Sequence, residues 1–476
     1  MAFGLNYAAA AATGAHAVMY KRDPRAAAGW LLTVFAIPFL GPISYWTFGV
    51  NRIHRRRMED LSAAGPPVGP AEREAAEREA TEVEERLVRI GTPELTDLVR
   101  LSRRITGNPL LPGNLVEPLA DGEEAYPAML EAIAGARRTV DLETYIFDGD
   151  GTGRQFVRAL AEAAARGVEV RVLVDGLGER YSKIRARRLL KGTSVKAAKF
   201  VPPIPLWRGA YLNLRNHRKI LVTDGDLGFT GGMNIGDRHL AARTENPSRV
   251  HDLHFRMRGP VVGELQRTFV DDWWFVTGER LAGDGFFPDL RDAGDALCRG
   301  ISDGPDEDHE QLRYILLGAV ACARRAVRIV TPYFIPDRPM LSALVTAALR
   351  GVEVHLVLPG RSNLPFFHWA MTAYLWELLR FGVRVFLQPP PFVHTKAIVV
   401  DGIWALVGSA NLDPRSLRLN FEFDVEIYDR GLARRLEDDL AAAAARAREL
   451  TLAEVDARGT AVRLRDGVAK LFSPYL

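Results

Sequence analysis

The chain has 476 residues, 47% of them hydrophobic and 25% charged, which is ordinary for a globular protein of more than one domain. A net charge of +3 is too small to argue for a nucleic-acid partner. The two cysteines, Cys298 and Cys322, have no metal-type spacing and imply no disulfide framework, which fits reduced thiols in a cytosol-facing body.

Residues 1–19 are Ala-rich, uncharged and weakly hydrophobic. They read either as a weak first membrane helix or as a surface leader. Residues 26–50 carry no charge, and as one helix they would reach about 37 Å, enough for a bilayer core of about 30 Å. Pro38 and Gly41-Pro42 interrupt that run. Lys21, Arg22 and Arg25 precede it, and Arg52, Arg55, Arg56 and Arg57 follow, which favours both flanks on the cytoplasmic side. Two forms stay open: a kinked span, and a hairpin that enters one leaflet and returns. A secretory signal peptide fits poorly, because basic residues stand where small cleavage-site residues would be. Residues 62–70 read as a linker, and 71–90, with Glu and Arg four apart, as a solvated ion-paired helix.

A folded body is expected from about residue 111. Residues 125–136 read as a helix, 139–147 as a strand, 153–166 as a helix and 168–174 as a buried strand. This β-α-β order predicts parallel strands with a crossover helix. The order returns as a strand over 326–331, a helix over 340–350 and a strand over 352–358. ARGVEVRVLVDG (165–176) and LRGVEVHLVLPG (349–360) are one repeated unit. Residues 180–199 hold eight basic residues, read either as a patch for anionic headgroups or as a solvated helix face. Trp207, Tyr211 and Leu212 either line a mouth for acyl chains or pack in the core.

The repeat is sharpest at HRKILVTD (217–224) and HTKAIVVD (394–401), 177 residues apart. Both read H-x-K-x4-D, and in both an Asn, Asn234 or Asn411, lies ten residues past the Asp. Each motif is expected on a strand, with Asp224-Gly225 and Asp401-Gly402 as hairpin turns and 227–230 and 404–407 as return strands. His and Lys two apart then share one sheet face. Residues 281–307, rich in Gly, Asp and Pro, mark the boundary between the halves. An Ala-Arg helix is expected over 432–450. Residues 461–476 read either as a short interfacial helix or as one packed on the body.

Two His and two Lys can serve one phosphodiester. Lys219 and Lys396 would neutralise its non-bridging oxygens, and Asn234 and Asn411 would add neutral donors. One imidazole attacks phosphorus, and the other protonates the leaving alcohol and later activates the incoming one. No metal or other cofactor is required, since the lysines supply the positive charge.

The paired motifs, each followed by G-[GS]-x-N, resemble the phospholipase D superfamily, and within it the bacterial cardiolipin synthases. FGVNRIHRRR (48–57), FTGGMNI (229–235), DDWW (271–274) and NLDPRSLRLNFEFDVEIYD (411–429) are similar to that branch. The resemblance implies an α/β fold: two phospholipase D-like α/β/α sandwich lobes related by a pseudo-twofold axis, with an N-terminal membrane segment. Together with the composition shifts along the chain, this divides it into a membrane-anchoring segment over 1–57, linker and charged helices over 58–110, a first lobe over 111–290, and a second lobe with a C-terminal helix over 291–476. The resemblance also implies a phosphohistidine intermediate, and two phosphatidylglycerols giving cardiolipin and glycerol at the inner, cytoplasmic membrane.

Catalytic roles carry over onto His217, Lys219, Asp224, His394, Lys396 and Asp401, with Asp224 and Asp401 bracing strand turns rather than touching substrate. Glu422 and Asp252 match acids that hold an imidazole through its other nitrogen. His217 is assigned as nucleophile and His394 as acid/base by family tendency. The expected partners are the anionic phospholipid and the membrane, with no nucleic acid and with room for a homodimer. A hydrolase, a transferase using another acceptor alcohol, a nuclease of the same superfamily, and a non-catalytic membrane scaffold are the alternatives. The membrane segment and small net charge argue against the nuclease. Intact His and Lys in both halves argue against the scaffold.

Overall fold

The computed structural model describes residues 2–21, 24–49, 85, 87, 93–200, 215–305 and 310–473. The expected linker, most of the charged helix over 71–90, the basic residues 52–57, and Trp207, Tyr211 and Leu212 lie outside the described residues. The chain divides into an N-terminal unit and a large body.

The N-terminal unit comprises helices α1 (Ala2–Tyr20), α2 (Pro24–Ala36) and α3 (Leu40–Ser44), then a π-helical turn over Tyr45–Gly49. Residues 26–50 are therefore not one helix. The chain breaks where Pro38 brings no N–H and Phe39 takes a positive φ of 61°. It then folds back so closely that a Cβ on Gly41 would lie 2.4 Å from the Thr33 carbonyl oxygen. Ala10, Ala17, Trp30, Val34 and Tyr45 form a small core. Among the described residues no helix is long and apolar enough to cross a membrane.

The body is a mixed α/β fold. Its first half holds β1 (Leu111–Ala120), β2 (Thr139–Thr144), β3 (Glu169–Asp175), β4 (Lys196–Phe200), β5 (Ile220–Thr223), β6 (Leu227–Gly231) and β7 (Leu253–Arg258). Its second half holds β8 (Ala296–Asp303), β9 (Ala326–Val330), β10 (Glu353–Pro359), β11 (Arg384–Gln388), β12 (Ala397–Val400), β13 (Trp404–Gly408), β14 (Asn420–Tyr428) and β15 (Arg448–Leu450). The strands form one sheet in the order β15-β11-β10-β9-β12-β13-β14-β8-β1-β7-β6-β5-β2-β3-β4. Read outward from the β1/β8 junction, the two halves repeat one order. The predicted parallel pairs are β2 with β3 and β9 with β10.

The central strands β1 and β8 were not expected from the sequence. LPGNLVEPLA carries two prolines and a glycine, which weaken any strand signal. β8 lies inside the stretch expected to be only a boundary, and it hides a fully buried Arg299 that pairs with Glu426 at 2.8 Å.

Helix α4 (Pro93–Thr106) precedes the first half in the chain but packs Leu95, Leu98 and Val99 into the core of the second, while α5 (Asp121–Gly135), α6 (Gly151–Ala165) and α7 (Val261–Thr277) belong to the first part of the body. Helices α8 (Gln311–Cys322), α9 (Arg338–Leu349), α10 (Pro365–Arg380), α11 (Arg430–Arg446) and α12 (Thr460–Leu471) belong to the second. Val261, Val262 and Leu265 of α7 and Leu432, Leu436 and Leu440 of α11 share one core with strands of both halves. That shared core fixes the halves against each other. The basic stretch 180–199 is not one helix. It holds a short helix over Ala186–Leu189 and strand β4, and Arg187 and Lys196 are ion-paired with Glu179 and Glu279.

Candidate active site

Each H-x-K-x4-D motif ends in the same turn. Asp224 and Gly225 have φ of 52° and 74°, and Asp401 and Gly402 have 56° and 65°. Two successive positive φ values give the hairpin its tight reversal, and Asp tolerates the first of them. The Asp224 carboxylate accepts the backbone N–H groups of Arg137, Arg138 and Thr139 at 2.9, 2.7 and 3.0 Å. Asp401 accepts those of Arg324, Arg325 and Ala326 at 2.9, 2.8 and 2.8 Å. Both carboxylates therefore lock a turn to the start of the neighbouring strand. They sit at the far end of a four-residue strand, five residues past the motif's Lys and seven past its His, which is about 17 and 23 Å at strand rise.

His217 and Lys219 lie just before β5, and His394 and Lys396 just before β12, so each motif's His and Lys stand in the lead-in to the strand and not in the strand itself. The lead-in to each motif crosses to the other half. Residues 215–216 pair in parallel with 420–421 at the start of β14, and the His217 N–H donates to the Phe421 carbonyl at 2.9 Å. Residues 392–393 pair in parallel with 250–251, and the His394 N–H donates to the His251 carbonyl at 2.7 Å.

This crossing decides which acid meets which ring. Glu422 follows Phe421, and its Oε2 is 2.9 Å from His217 Nδ1. Asp252 follows His251, and its Oδ2 is 2.7 Å from His394 Nδ1. Each imidazole is held by the acid of the opposite half. The carboxylate fixes the proton on Nδ1, which leaves Nε2 as the atom available for chemistry.

The lysines fold back over their own motifs. Lys219 Nζ donates to the His217 carbonyl and Lys396 Nζ to the His394 carbonyl. Lys396 Nζ is also 3.2 Å from His394 Nε2. Burial lowers Lys219 to about 7 and Lys396 to about 8, against the raising pull of Glu422 on the first and Asp252 on the second. Burial likewise pushes both imidazoles down to about 4. Lys396 figures in the lowering of His217, and Lys219 in that of His394, so the two motifs share one electrostatic environment. Burial raises Glu422 and Asp252, but the facing imidazole and lysine outweigh it and hold both carboxyls below their usual range.

The surroundings of the two acids differ. Glu422 also accepts from Ser409 Oγ at 2.6 Å and Asn420 Nδ2 at 2.9 Å. At the corresponding place in the first half a Cβ on Gly232 would lie 2.3 Å from Asp252 Oδ1, so no serine fits there. Instead the buried His239 lies beside Asp252, with Nδ1 3.9 Å from Oδ2.

Asn234 Oδ1 accepts the Ile146 N–H at 3.0 Å, and Asn411 Nδ2 donates to Ser416 Oγ at 3.3 Å. Both amides thus brace loops beside the site. Ser409 stands at the second position of the G-[GS]-x-N motif, whereas Asn420 and Tyr145, whose ring edge meets His217 at 5.0 Å, have no separate signal in the sequence. Nor does the clamp behind His217. There Asn216 donates its N–H to Asp175 at 2.9 Å and its Nδ2 to Asp272 at 2.9 Å, while the fully buried Arg218 donates to the Glu422 carbonyl at 3.0 Å.

Residues 129–273 and 316–443 match the family described as cardiolipin synthase, PLD-like domain, and residues 10–49 match the phospholipase D-nuclease N-terminal family. The chain is 33% identical over 467 residues to the major cardiolipin synthase ClsA of Bacillus subtilis, covering 96% of this chain and 95% of that one. It is 34% identical over 469 residues to cardiolipin synthase A of Pseudomonas entomophila, covering 97% and 95%. Among solved structures, phosphatidylserine synthase from Haemophilus influenzae superposes with a TM-score of 0.62 at 15% identity, over 80% of this chain and all of that one.

Proposed function

We propose that this chain, which belongs to the phospholipase D-like cardiolipin synthase family, transfers a phosphatidyl group from one phosphatidylglycerol to another, giving cardiolipin and glycerol. The observation that carries the reading is the crossed clasp: His217 on Glu422 and His394 on Asp252, each with a lysine beside it.

In this reading the two halves form phospholipase D-like lobes related by a pseudo-twofold axis, and one phosphodiester sits on that axis. Lys219 and Lys396 neutralise its non-bridging oxygens. His217 attacks phosphorus through Nε2, forming the P–N bond as the P–O bond to glycerol breaks. His394 gives its Nε2 proton to the departing glycerol oxygen. Bound phosphodiester supplies the negative charge that raises His394 enough to carry that proton. The glycerol hydroxyl of a second phosphatidylglycerol then loses its proton to His394 and attacks phosphorus, and the P–N bond breaks. Asp252 and Glu422 hold the rings and offset the imidazolium charge. Asp224 and Asp401 take no part in these steps beyond fixing the strands.

The N-terminal unit fits a hairpin that enters one leaflet: it is broken at residues 37–39 and exposes Leu32, Phe35, Leu40 and Ile43. Basic residues on both flanks favour a body on the cytoplasmic side of the cell membrane. Incubating the purified protein with phosphatidylglycerol and measuring the lipid products by mass spectrometry tests the reading. Cardiolipin with free glycerol is expected. Phosphatidic acid without cardiolipin would make the chain a hydrolase instead.

A further inference from the structure

Helix α12 is amphipathic in the reverse of the usual sense. The residues it turns inward are Asp466 and Ala469, followed by Ser473, and all three are buried. Asp466 is neutralised there by Arg458 and Arg465, each at 2.7 Å. Leu464, Val468 and Leu471 stand on the opposite side, four and three residues apart, and are 68%, 45% and 76% exposed. At about 100° per residue they form one stripe roughly 180° from Asp466. A surface helix of a water-soluble body places its apolar stripe inward. Arg463 and Lys470 border the stripe on one side and Arg465 on the other. A helix with an outward apolar stripe between basic flanks has the form that lies in a lipid interface.

A series of aromatic rings lies between the end of α12 and the site. Phe472, at the end of α12 and 49% exposed, meets Phe366 at 5.7 Å. The next residue, Phe367, meets Tyr333 at 5.0 Å, Tyr333 meets Phe392 at 6.2 Å, and Phe392 meets His394 at 6.3 Å. Aromatic rings therefore lead from the end of α12 to one catalytic ring, joined by ring contacts except at the step from Phe366 to Phe367, which are neighbours along α10.

We propose that the outward stripe of α12 seats on an anionic lipid bilayer, and that the aromatic row beneath it guides a lipid from that surface to His394. The occupant is a bilayer rather than a second copy because α12 carries three basic residues, Arg463, Arg465 and Lys470, against one acid, and that acid is turned inward and shared between Arg465 and Arg458, which leaves the helix's border net positive. The inference rests on the lipid-transferase reading and adds the surface by which substrate is collected.

The test uses the full chain in two forms. The first is Leu464→Cys carrying a solvent-sensitive fluorophore. Phosphatidylglycerol vesicles should shift its emission to the blue and raise it at least about twofold, and phosphatidylcholine vesicles should do so less. No change with phosphatidylglycerol vesicles overturns the proposal. So does a blue-shifted signal already present without lipid together with a dimer mass by light scattering, since a second copy then covers the stripe.

The second form is the double variant Leu464→Glu/Leu471→Glu, changed only at exposed positions. Its turnover of vesicle phosphatidylglycerol should fall at least about tenfold, while turnover of short-chain phosphatidylglycerol dissolved as monomers stays at the wild-type value. Equal loss on both substrates overturns the docking role. A wild type inactive on both substrates defeats the transferase reading instead, and the fluorophore then decides the docking surface alone.

Discussion

Replacing Lys219 by Met should make the protein more stable and inactive at the same time. Lys219 is 2% exposed, and burial brings it from 10.5 to about 7. In the unfolded chain at pH 7 it is fully charged. In the folded chain it is about half charged. A shift of 3.5 units less the half-charged remainder corresponds to about 4 kcal/mol of folding stability withheld by this one ammonium group. Met keeps the length and the apolar stem. It forfeits the bond to the His217 carbonyl, about 1 kcal/mol, so the expected net gain is about 3 kcal/mol.

The sign follows from linkage. The folded pKa lies below the unfolded one, so the unfolded chain binds more protons between about pH 7 and 10.5, and wild-type stability rises with pH across that window. The variant lacks that contribution. Urea unfolding followed by tryptophan fluorescence, at pH 7 and at about pH 9.5, should show a stability gap that narrows at the higher pH. Turnover should fall by about a hundredfold or more, because the phosphate loses a preorganised cation. A variant no more stable than wild type at pH 7, or a gap that does not narrow, would refute the reasoning.

The other expectations use the same lipid-product assay. His217→Ala and His394→Ala should each abolish transfer, and substantial turnover in either variant would sink the shared site. Asp252→Asn should cost at least about a hundredfold, yet add nothing to His394→Ala, since the two act as one unit. Independent, multiplying losses would mean that Asp252 acts elsewhere. Asp401→Asn should lower stability by about 2 kcal/mol while turnover per folded molecule is kept, as suits a turn brace rather than a substrate contact. In a pH profile of kcat/KM, activity should rise through about 4 as the nucleophile His217 loses its proton, and fall on the alkaline side as the acid His394 and the lysines lose theirs, the lysines at about 7 to 8. A profile flat from pH 6 to 9 would exclude a role for lysine charge.

The motif pair was legible because its chemistry is local. His, Lys, the turn Asp and the following Asn fall at fixed offsets in both halves, and the β-branched runs between them mark strands. The parallel pairs were legible from the β-α-β order, again a short-range pattern. The acids 252 and 422 were legible only as carried over from the resemblance. Which ring each would hold was not. That depends on two-residue ladders, 215–216 with 420–421 and 392–393 with 250–251, which join positions over a hundred residues apart and leave no periodic trace. Strands β1 and β8 were hidden for a related reason. They are stabilised by neighbours on both sides, so they tolerate prolines, glycine and a buried arginine that would disqualify an isolated strand.

The crossed clasp also bears on why the two halves stay together as one chain. A half that supplied its own acid to its own imidazole would hold a complete His-acid pair by itself. Here neither half does: without the second half His217 loses Glu422, and without the first His394 loses Asp252. The same lead-in strands that bring the acids across also hydrogen-bond the backbone of each histidine to the other half. Ring orientation, proton position and inter-half packing are therefore set by one set of contacts. A substitution that loosens the shared core of α7 and α11 is expected to disturb both imidazoles together rather than one.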